Sequence, residues 1–127
     1  MTKKAVIPAD FVSPKADSKQ ESMHCIVIIT CPSQKDAGRI KDLLLENRLV
    51  ACVNIIKGVR SFFWWKGTID SASEVMLLAK TTRAKFKKIA ACVTKVHPYD
   101  VPEIITIPIM DGNKPYLNWI DDSLKSL

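Results

Sequence analysis

Residues 49–81 read LVACVNIIKGVRSFFWWKGTIDSASEVMLLAKT, which places two strand-like segments on either side of one turn. The first segment begins at residue 49 and continues to residue 64, and it is rich in the β-branched and aromatic residues that favour strands. Lys66-Gly67 has the composition of a tight turn, and residues 68–81 form the returning segment. We therefore predict a long antiparallel hairpin in the middle of the chain.

Helices and further strands flank this hairpin in the sequence. Pro32 ends an apolar run, and Ser33 then offers the side-chain oxygen of a helix N-cap. Pro102 and Pro108 favour an edge position for the last strand. The predicted elements are a strand over 25–31, a helix over about 34–47, the hairpin, a helix between Thr82 and Pro98, a strand over 101–109 and a short helix with Pro115 in its first turn. This order is the βαββαβ pattern of a ferredoxin-like α+β sandwich, followed by a C-terminal helix.

The composition favours one folded domain, because 47% of the 127 residues are hydrophobic and 25% are charged. We predict a flexible N-terminal tail over residues 1–24 and a single domain over residues 25–127. The tail lacks the apolar segment of a secretory signal, and no apolar run is long enough to span a membrane. Four cysteines without Cys-x-x-Cys spacing favour reduced thiols. We therefore expect a cytoplasmic protein that does not bind membranes.

The formal net charge of +6 permits an anionic partner. An RNA-recognition module has the same strand order, but it stacks bases on aromatic residues of its central strands. The predicted first and third strands contain no aromatic residue. The basic residues gather on the second helix, where they are typical of a solvated face: Arg83, Lys85, Lys87, Lys88 and Lys95. We therefore expect no nucleic-acid partner.

Both faces of the predicted sheet are apolar, although two helices can cover only one face. The first strand has Ile26 and Ile28 opposite its other apolar residues, and the fourth strand carries Ile105 and Ile107. The four aromatics of residues 62–65 also point two to each side of their strand. They could form a local cluster under the C-terminal helix. The pattern favours instead an obligate oligomer whose sheets face inward, because large exposed apolar patches are uncommon on monomers.

Residues that could bind a metal ion or a small ligand occur at two places in the sequence. Cys52 lies in a strand with Asn54 on the same face, and His97 ends a helix shortly before Tyr99 and Glu103. Thiolate and imidazole together suit copper better than magnesium or calcium. A strand cysteine can equally be a small buried apolar residue, and a helix-terminal histidine can serve the helix dipole alone. No Ser-His-Asp or Cys-His pairing is evident, so we expect no enzymatic activity.

The chain resembles the CutA family of divalent-cation tolerance proteins over residues 25–124. Several separated motifs carry this resemblance, and they occur in the same order as in the family. The motifs are Ala51-Cys52-Val53-Asn54-Ile55, Trp64-Trp65-Lys66-Gly67, Glu74-Val75 with Leu78 and Lys80-Thr81, His97-Pro98-Tyr99-Asp100-Val101-Pro102-Glu103-Ile104, and Tyr116-Leu117 with Trp119.

The resemblance implies a homotrimer of ferredoxin-like subunits whose long hairpins reach across neighbouring subunits. It also implies tolerance to divalent metal ions, with copper as the leading ligand, and it adds Cys31 to Cys52 and His97 as metal-ligand candidates. Small-ligand candidates on the family pattern are Lys80, Tyr99, Glu103 and Trp65. The alternative hypothesis is a signalling or scaffold trimer that binds a small anionic ligand in clefts between subunits.

Overall fold

The computed structural model describes residues 23–126. The predicted N-terminal tail therefore lies outside the described residues, except for Met23 and His24. His24 is already the first residue of a strand. From there to residue 126 the chain follows the predicted order of elements.

The elements match the sequence predictions in kind and in order. In chain order they are β1 (His24–Cys31), α1 (Gln34–Glu46), β2 (Cys52–Trp65), β3 (Thr68–Thr82), a 3-10 turn (Arg83–Lys85), α2 (Phe86–Val96), β4 (Ile104–Pro108) and α3 (Lys114–Ser123). Ser33 is the N-cap of α1, and its side chain accepts a hydrogen bond from the backbone N–H of Asp36. Lys66 and Gly67 both have positive φ angles, as the predicted tight hairpin turn requires.

Two strands are shorter than predicted. Leu49 is buried at the end of α1, where its N–H donates to the carbonyl of Leu44, so β2 begins only at Cys52. The residues before Ile104 belong to the loop after α2, and pairing with β1 begins at Ile104. The predicted strands over 49–64 and 101–109 were therefore too long at these ends.

The four strands form one antiparallel sheet in the order β2-β3-β1-β4. β4 therefore lies at an edge, which confirms the prediction from its prolines. One face of the sheet packs against α1 and α2 and forms the core. Its central residues are Val27 and Ile29 of β1 and Leu77 of β3, and they are fully buried against Ile40 and Ile89 of the helices.

The other face, which we call the open face, is also apolar. On this face Ile28 of β1 lies between Leu78 of β3 and Ile105 of β4, and Ile26 of β1 lies beside Ile107 of β4. Ile105 and Ile107 are 48% and 47% exposed. The helix α3 reaches only the end of this face where β1 begins, and it is tied there by His24 Nε2 and Asp121 Oδ1, 2.9 Å apart.

Beyond the open face the hairpin continues as a two-stranded arm, which we call the aromatic arm and define as residues 59–74. A register shift between Ile56 and Val59, at Gly58 with φ +74°, changes which side each β2 residue faces. Side chains 62–65 of the arm are 39% to 73% exposed. The alternative of an aromatic cluster buried under the C-terminal helix is therefore wrong.

Candidate functional site

A cleft of about 970 Å³ lies between the aromatic arm and the loop that joins α2 to β4. The bulge at Gly58 turns Phe63 and Trp65 to the same side as Glu74, which continues the open face. Thr30 of β1 closes the floor, and Tyr99 and Glu103 form the opposite wall. The cleft is large enough for a small-molecule ligand.

His97 fixes the loop wall of this cleft to the sheet. The residue is 8% exposed, and its Nε2 lies 2.8 Å from the carbonyl oxygen of Thr30. Its Nδ1 accepts a hydrogen bond of 3.0 Å from the backbone N–H of Tyr99. Because Nδ1 accepts, Nε2 carries the proton and donates to Thr30, so the ring is neutral in this arrangement. Both ring nitrogens are thus engaged in holding the loop.

Tyr99 and Glu74 form the second tie across the cleft. The Tyr99 hydroxyl donates to Glu74 Oε2 over 2.9 Å, and Glu74 is only 9% exposed. Burial first, and then the hydrogen bond and negative charge of Glu74, together raise the pKa of Tyr99 to about 12. The phenol is therefore a stable donor that holds a buried carboxylate in place.

This pKa leads to a prediction for alkaline solution. Because the folded pKa lies above that of an unfolded tyrosine, about 10, the contribution of Tyr99 is fully present below pH 10 and is lost as the pH rises towards 12. We expect Tyr99→Phe to lower the free energy of unfolding at pH 7 by about 1–3 kcal/mol, because Glu74 loses its donor. The variant should then lose less stability than the parent chain at alkaline pH.

Urea unfolding at fixed protein concentration, at pH 7 and from pH 9.5 to 11.5, measures both effects. Tyr116→Phe is the comparison for the pH 7 measurement, because Tyr116 lies outside the cleft; burial and Cys52 raise the pKa of its phenol as well, so the alkaline series compares Tyr99→Phe with the parent chain only. Equal stability of parent and Tyr99→Phe at pH 7, with parallel alkaline losses, would contradict the role given to this hydrogen bond.

The cleft is acidic although the chain is basic. Four carboxylates line it, those of Asp70, Glu74, Asp100 and Glu103, and no lysine or arginine of residues 23–126 does so. The side chain of Glu103 accepts a hydrogen bond of 3.3 Å from Thr30 Oγ1. Such a cleft attracts positively charged groups and repels anions.

A different set of polar side chains gathers at the far end of the open face. Cys52 lies opposite Lys80 in the β2–β3 register, and the Lys80 ammonium donates to Asn54 Oδ1. Tyr116 of α3 is a neighbour, since burial and the adjacent Cys52 thiol raise the pKa of its phenol. The Cys52 side chain is half-buried there.

The structure brings some of the candidate residues together and separates others. Tyr99, Glu103 and Trp65 share the cleft, as the resemblance implies for a small-ligand site. Lys80 does not line the cleft. It pairs with Ile26 of β1, and Ile26 lies four residues from Thr30, a distance of about 13 Å along the strand.

The three metal-ligand candidates do not meet within one chain. Cys31 is fully buried in the core, where its thiol contacts the carbonyls of Ser33 and Val75 at 3.7 Å. His97 is bound at Thr30, and Cys52 lies at the far end beside Lys80. Across residues 23–126, no group of three or more histidine, cysteine or acidic residues is arranged to hold a metal ion.

Sequence reasoning missed Glu74, Asp70 and Thr30 as parts of the cleft. Glu74 precedes the apolar part of β3 and looks like an ordinary exposed residue of an antiparallel strand. The one available signal is its place in the Glu74-Val75 motif of the resemblance. Its burial follows from the loop after α2, which no local pattern predicts.

Fold and surface together define a class of protein: a ferredoxin-like α+β chain with a projecting hairpin and an uncovered apolar sheet face. A profile described as CutA1 divalent ion tolerance protein matches residues 25–123. The chain belongs to this CutA1 family, which confirms the resemblance read from its motifs.

Individual relatives agree with this assignment. The divalent-cation tolerance protein CutA of Thermus thermophilus is 44% identical over 101 residues, which cover 80% of this chain and 98% of the relative. The protein CutA homolog of Danio rerio is 40% identical over 101 residues, 80% of this chain and 67% of the relative. The structure of the periplasmic divalent cation tolerance protein CutA from Archaeoglobus fulgidus aligns with a TM-score of 0.79 at 44% identity, covering 81% of this chain and all of that one.

The structure and the names of these relatives also concern two further questions, namely where the chain is located and whether it is an enzyme. Among residues 23–126, no helix is long and apolar enough to cross a membrane. The Archaeoglobus relative is called periplasmic, so the cytoplasmic location expected from the sequence stays a prediction. The names of the relatives are not enzyme names.

Proposed function

We propose that this chain acts as a homotrimeric divalent-cation tolerance protein of the cytoplasm, which binds divalent metal ions, copper foremost, and catalyses no reaction. The observation that carries the proposal is the continuous apolar surface formed by the open face and the aromatic arm. Family membership supports the link to divalent cations. Three copies are the assembly that the resemblance implies.

The extent of the apolar surface supports assembly. Ile56, Ile105 and Ile107 are each more than 40% exposed, and they are continuous in register with the half-buried Ile28 and Leu78. Burying such side chains is worth about 1.5–3 kcal/mol for each one that is fully covered. A monomer would leave this stabilisation unused and would present an aggregation-prone patch to solvent.

Cys52 supports the metal-binding part of the proposal. It offers a half-buried thiol on the surface that assembly would cover, and soft thiolates favour copper. One thiol is too few ligands for a stable site, so further ligands must come from other subunits or from solvent. Cys31 and His97 contribute less to this proposal, because the core buries Cys31 and both nitrogens of His97 are already bonded.

A pair of matched variants tests this site. We expect Cys52→Ser to weaken copper binding at least about tenfold, equivalent to 1.4 kcal/mol, while the oligomer persists. Cys92→Ser is the control, because Cys92 of α2 is also half-buried but lies away from the open face. Competition titration of reduced protein against a chromogenic chelator measures the affinities. Equal copper affinity in parent and Cys52→Ser would remove Cys52 from the proposal.

The alternative of a scaffold that binds a small anion finds less support. Its four candidate residues do not all meet in one chain, because Trp65, Tyr99 and Glu103 line the cleft and Lys80 does not. The four carboxylates of the cleft disfavour an anion there.

A further inference from the structure

We propose that the outward face of α2 is a docking surface for an acidic helix of another protein, one that carries carboxylates along one side. The exposed residues that form this surface, which we call the lysine face, are Lys87, Lys88, Ala91, Thr94 and Lys95. This inference goes beyond the proposed function, and it does not depend on metal binding.

The lysine face lies on the side of the molecule that the proposed assembly leaves free. The inner side of α2 carries Ile89 and Val93, which are fully buried against the sheet, so the lysine face points away from the sheet. The open face lies on the opposite side of the same sheet, and the aromatic arm extends beyond that open face. Each subunit of an oligomer held by those two surfaces therefore keeps its own lysine face in contact with solvent.

The positive charge of the lysine face is not neutralised within residues 23–126. The sequence from 75 to 99 has six lysines and arginines and no acidic residue. On the neighbouring helix α1, Asp36 pairs with Arg39 and Asp42 pairs with Lys41. No ion pair of the described residues involves a lysine of the lysine face. This charge therefore remains available to an anionic partner.

The stability of the fold does not explain these lysines. Lys87 and Lys88 lie in the first turn of α2, where the positive end of the helix dipole disfavours cations. That turn contains no acidic residue, and Lys85 at the N-cap makes no side-chain capping bond. Acidic residues at these positions would stabilise the helix, whereas the lysines lower its stability. Residues that break a local rule of this kind are typical of functional surfaces.

The spacing of the lysines fits a helix laid alongside α2. Lys88 and Lys95 are seven residues apart, which is two helical turns or about 10.5 Å. Ala91 and Thr94 lie between them on the exposed face, and their small side chains let a second helix approach closely. A helix with carboxylates at positions i and i+7 repeats the same distance on one face. Such a helix can place one carboxylate beside each of the two lysines.

The lysine face lacks the features with which proteins bind nucleic-acid bases or enter membranes. Bases stack on aromatic side chains, but Phe86, the aromatic residue of α2, packs against the core. Interfacial helices bury large apolar side chains in the lipid. Among the described residues, none of the exposed large apolar side chains belongs to α2. Charge and shape together therefore favour an acidic protein helix.

Two labelled synthetic peptides of equal composition and net charge test this proposal. Both form helices of alanine, glutamine and glutamate, but one has its glutamates on a single face at positions i, i+3, i+4 and i+7, and the other distributes them around the helix. Fluorescence anisotropy with the full chain in its native assembly should show binding of the one-faced peptide at millimolar or lower concentration. The second peptide should bind at least about fivefold more weakly, and added salt should weaken the binding of both.

Matched charge reversals locate the bound peptide. Lys88→Glu should weaken binding of the one-faced peptide about fivefold or more, because it places a carboxylate against the glutamates. The same substitution should raise the thermal midpoint of the protein, because an acidic residue suits the first turn of a helix. Lys125→Glu makes the same change of charge beyond the end of α3, at a side chain that is 74% exposed, and should leave the affinity unchanged.

The possible outcomes decide the proposal. Binding of the one-faced peptide that depends on Lys88, with a raised midpoint in Lys88→Glu, supports it. No peptide binding to the folded assembly would overturn it and leave a solvated face only. Equal binding of the two peptides, or equal losses in Lys88→Glu and Lys125→Glu, would show a general effect of net charge and would also overturn it. Tighter binding of single-stranded DNA, or of vesicles of phosphatidylcholine and phosphatidylserine, that is lost in Lys88→Glu would assign the face to another class of partner and overturn it too.

Discussion

Replacing both Ile105 and Ile107 by aspartate is expected to leave the chain folded and monomeric. Both side chains are about half exposed on the edge strand β4, and they point away from the core. In the proposed assembly they become buried, so each aspartate would have to lose its hydration against apolar partners. That cost amounts to several kcal/mol for each unpaired charge, so the two aspartates together strongly oppose association.

Sedimentation velocity of the parent chain and the double variant at equal concentration measures this effect. Met110→Asp is the control, because Met110 lies two residues beyond the end of β4 and is 93% exposed. We expect the control to remain oligomeric. An oligomer of unchanged size in the double variant would show that the open face is not the assembly surface.

His97→Ala is expected to lower the free energy of unfolding by about 3 kcal/mol. The substitution removes the bond from His97 Nε2 to the Thr30 carbonyl and the acceptor of the Tyr99 N–H. It leaves the buried Thr30 carbonyl and the half-buried Tyr99 N–H without these partners, and it opens a cavity between loop and sheet. This loss of unfolding free energy should be several times larger than the loss caused by replacing an exposed histidine with alanine.

Chemical denaturation at fixed protein concentration measures the loss, with His24→Ala as the control. His24 is partly exposed and makes its side-chain contact with Asp121, so its removal should cost about 1 kcal/mol or less. Equal losses in the two variants would contradict the anchoring role of His97. Copper binding of the folded His97→Ala protein reports separately on whether the imidazole takes part in the metal site.

The sequence predicted the architecture well because local chemistry determines each element. Alternating apolar residues fixed the faces of β1 and β3, and Lys66-Gly67 fixed the hairpin turn. The apolar character of the second sheet face was also evident from the same alternation. These features depend on neighbours in sequence, so a single chain is enough to read them.

The site could be predicted only in part, because it depends on distant contacts. The order of the strands separates Lys80 from Tyr99, and this distance cannot be read from their spacing in the chain. Gly58 interrupts the β2 pattern as a bulge glycine does, but its position alone does not show that the register shift turns Phe63 and Trp65 towards Glu74. The helix-facing side of Cys31 did follow from alternation in β1, because Cys25, Val27 and Ile29 precede it on the same face.

Native mass spectrometry of the reduced full chain, with and without one equivalent of copper per subunit, tests the proposed function most directly. We expect a particle of three times the 14.2 kDa chain mass that takes up copper. A trimer without copper would retain the assembly and refute the metal site. A monomer at micromolar concentration would contradict the central claim, because the open face and the aromatic arm would then remain exposed in solution.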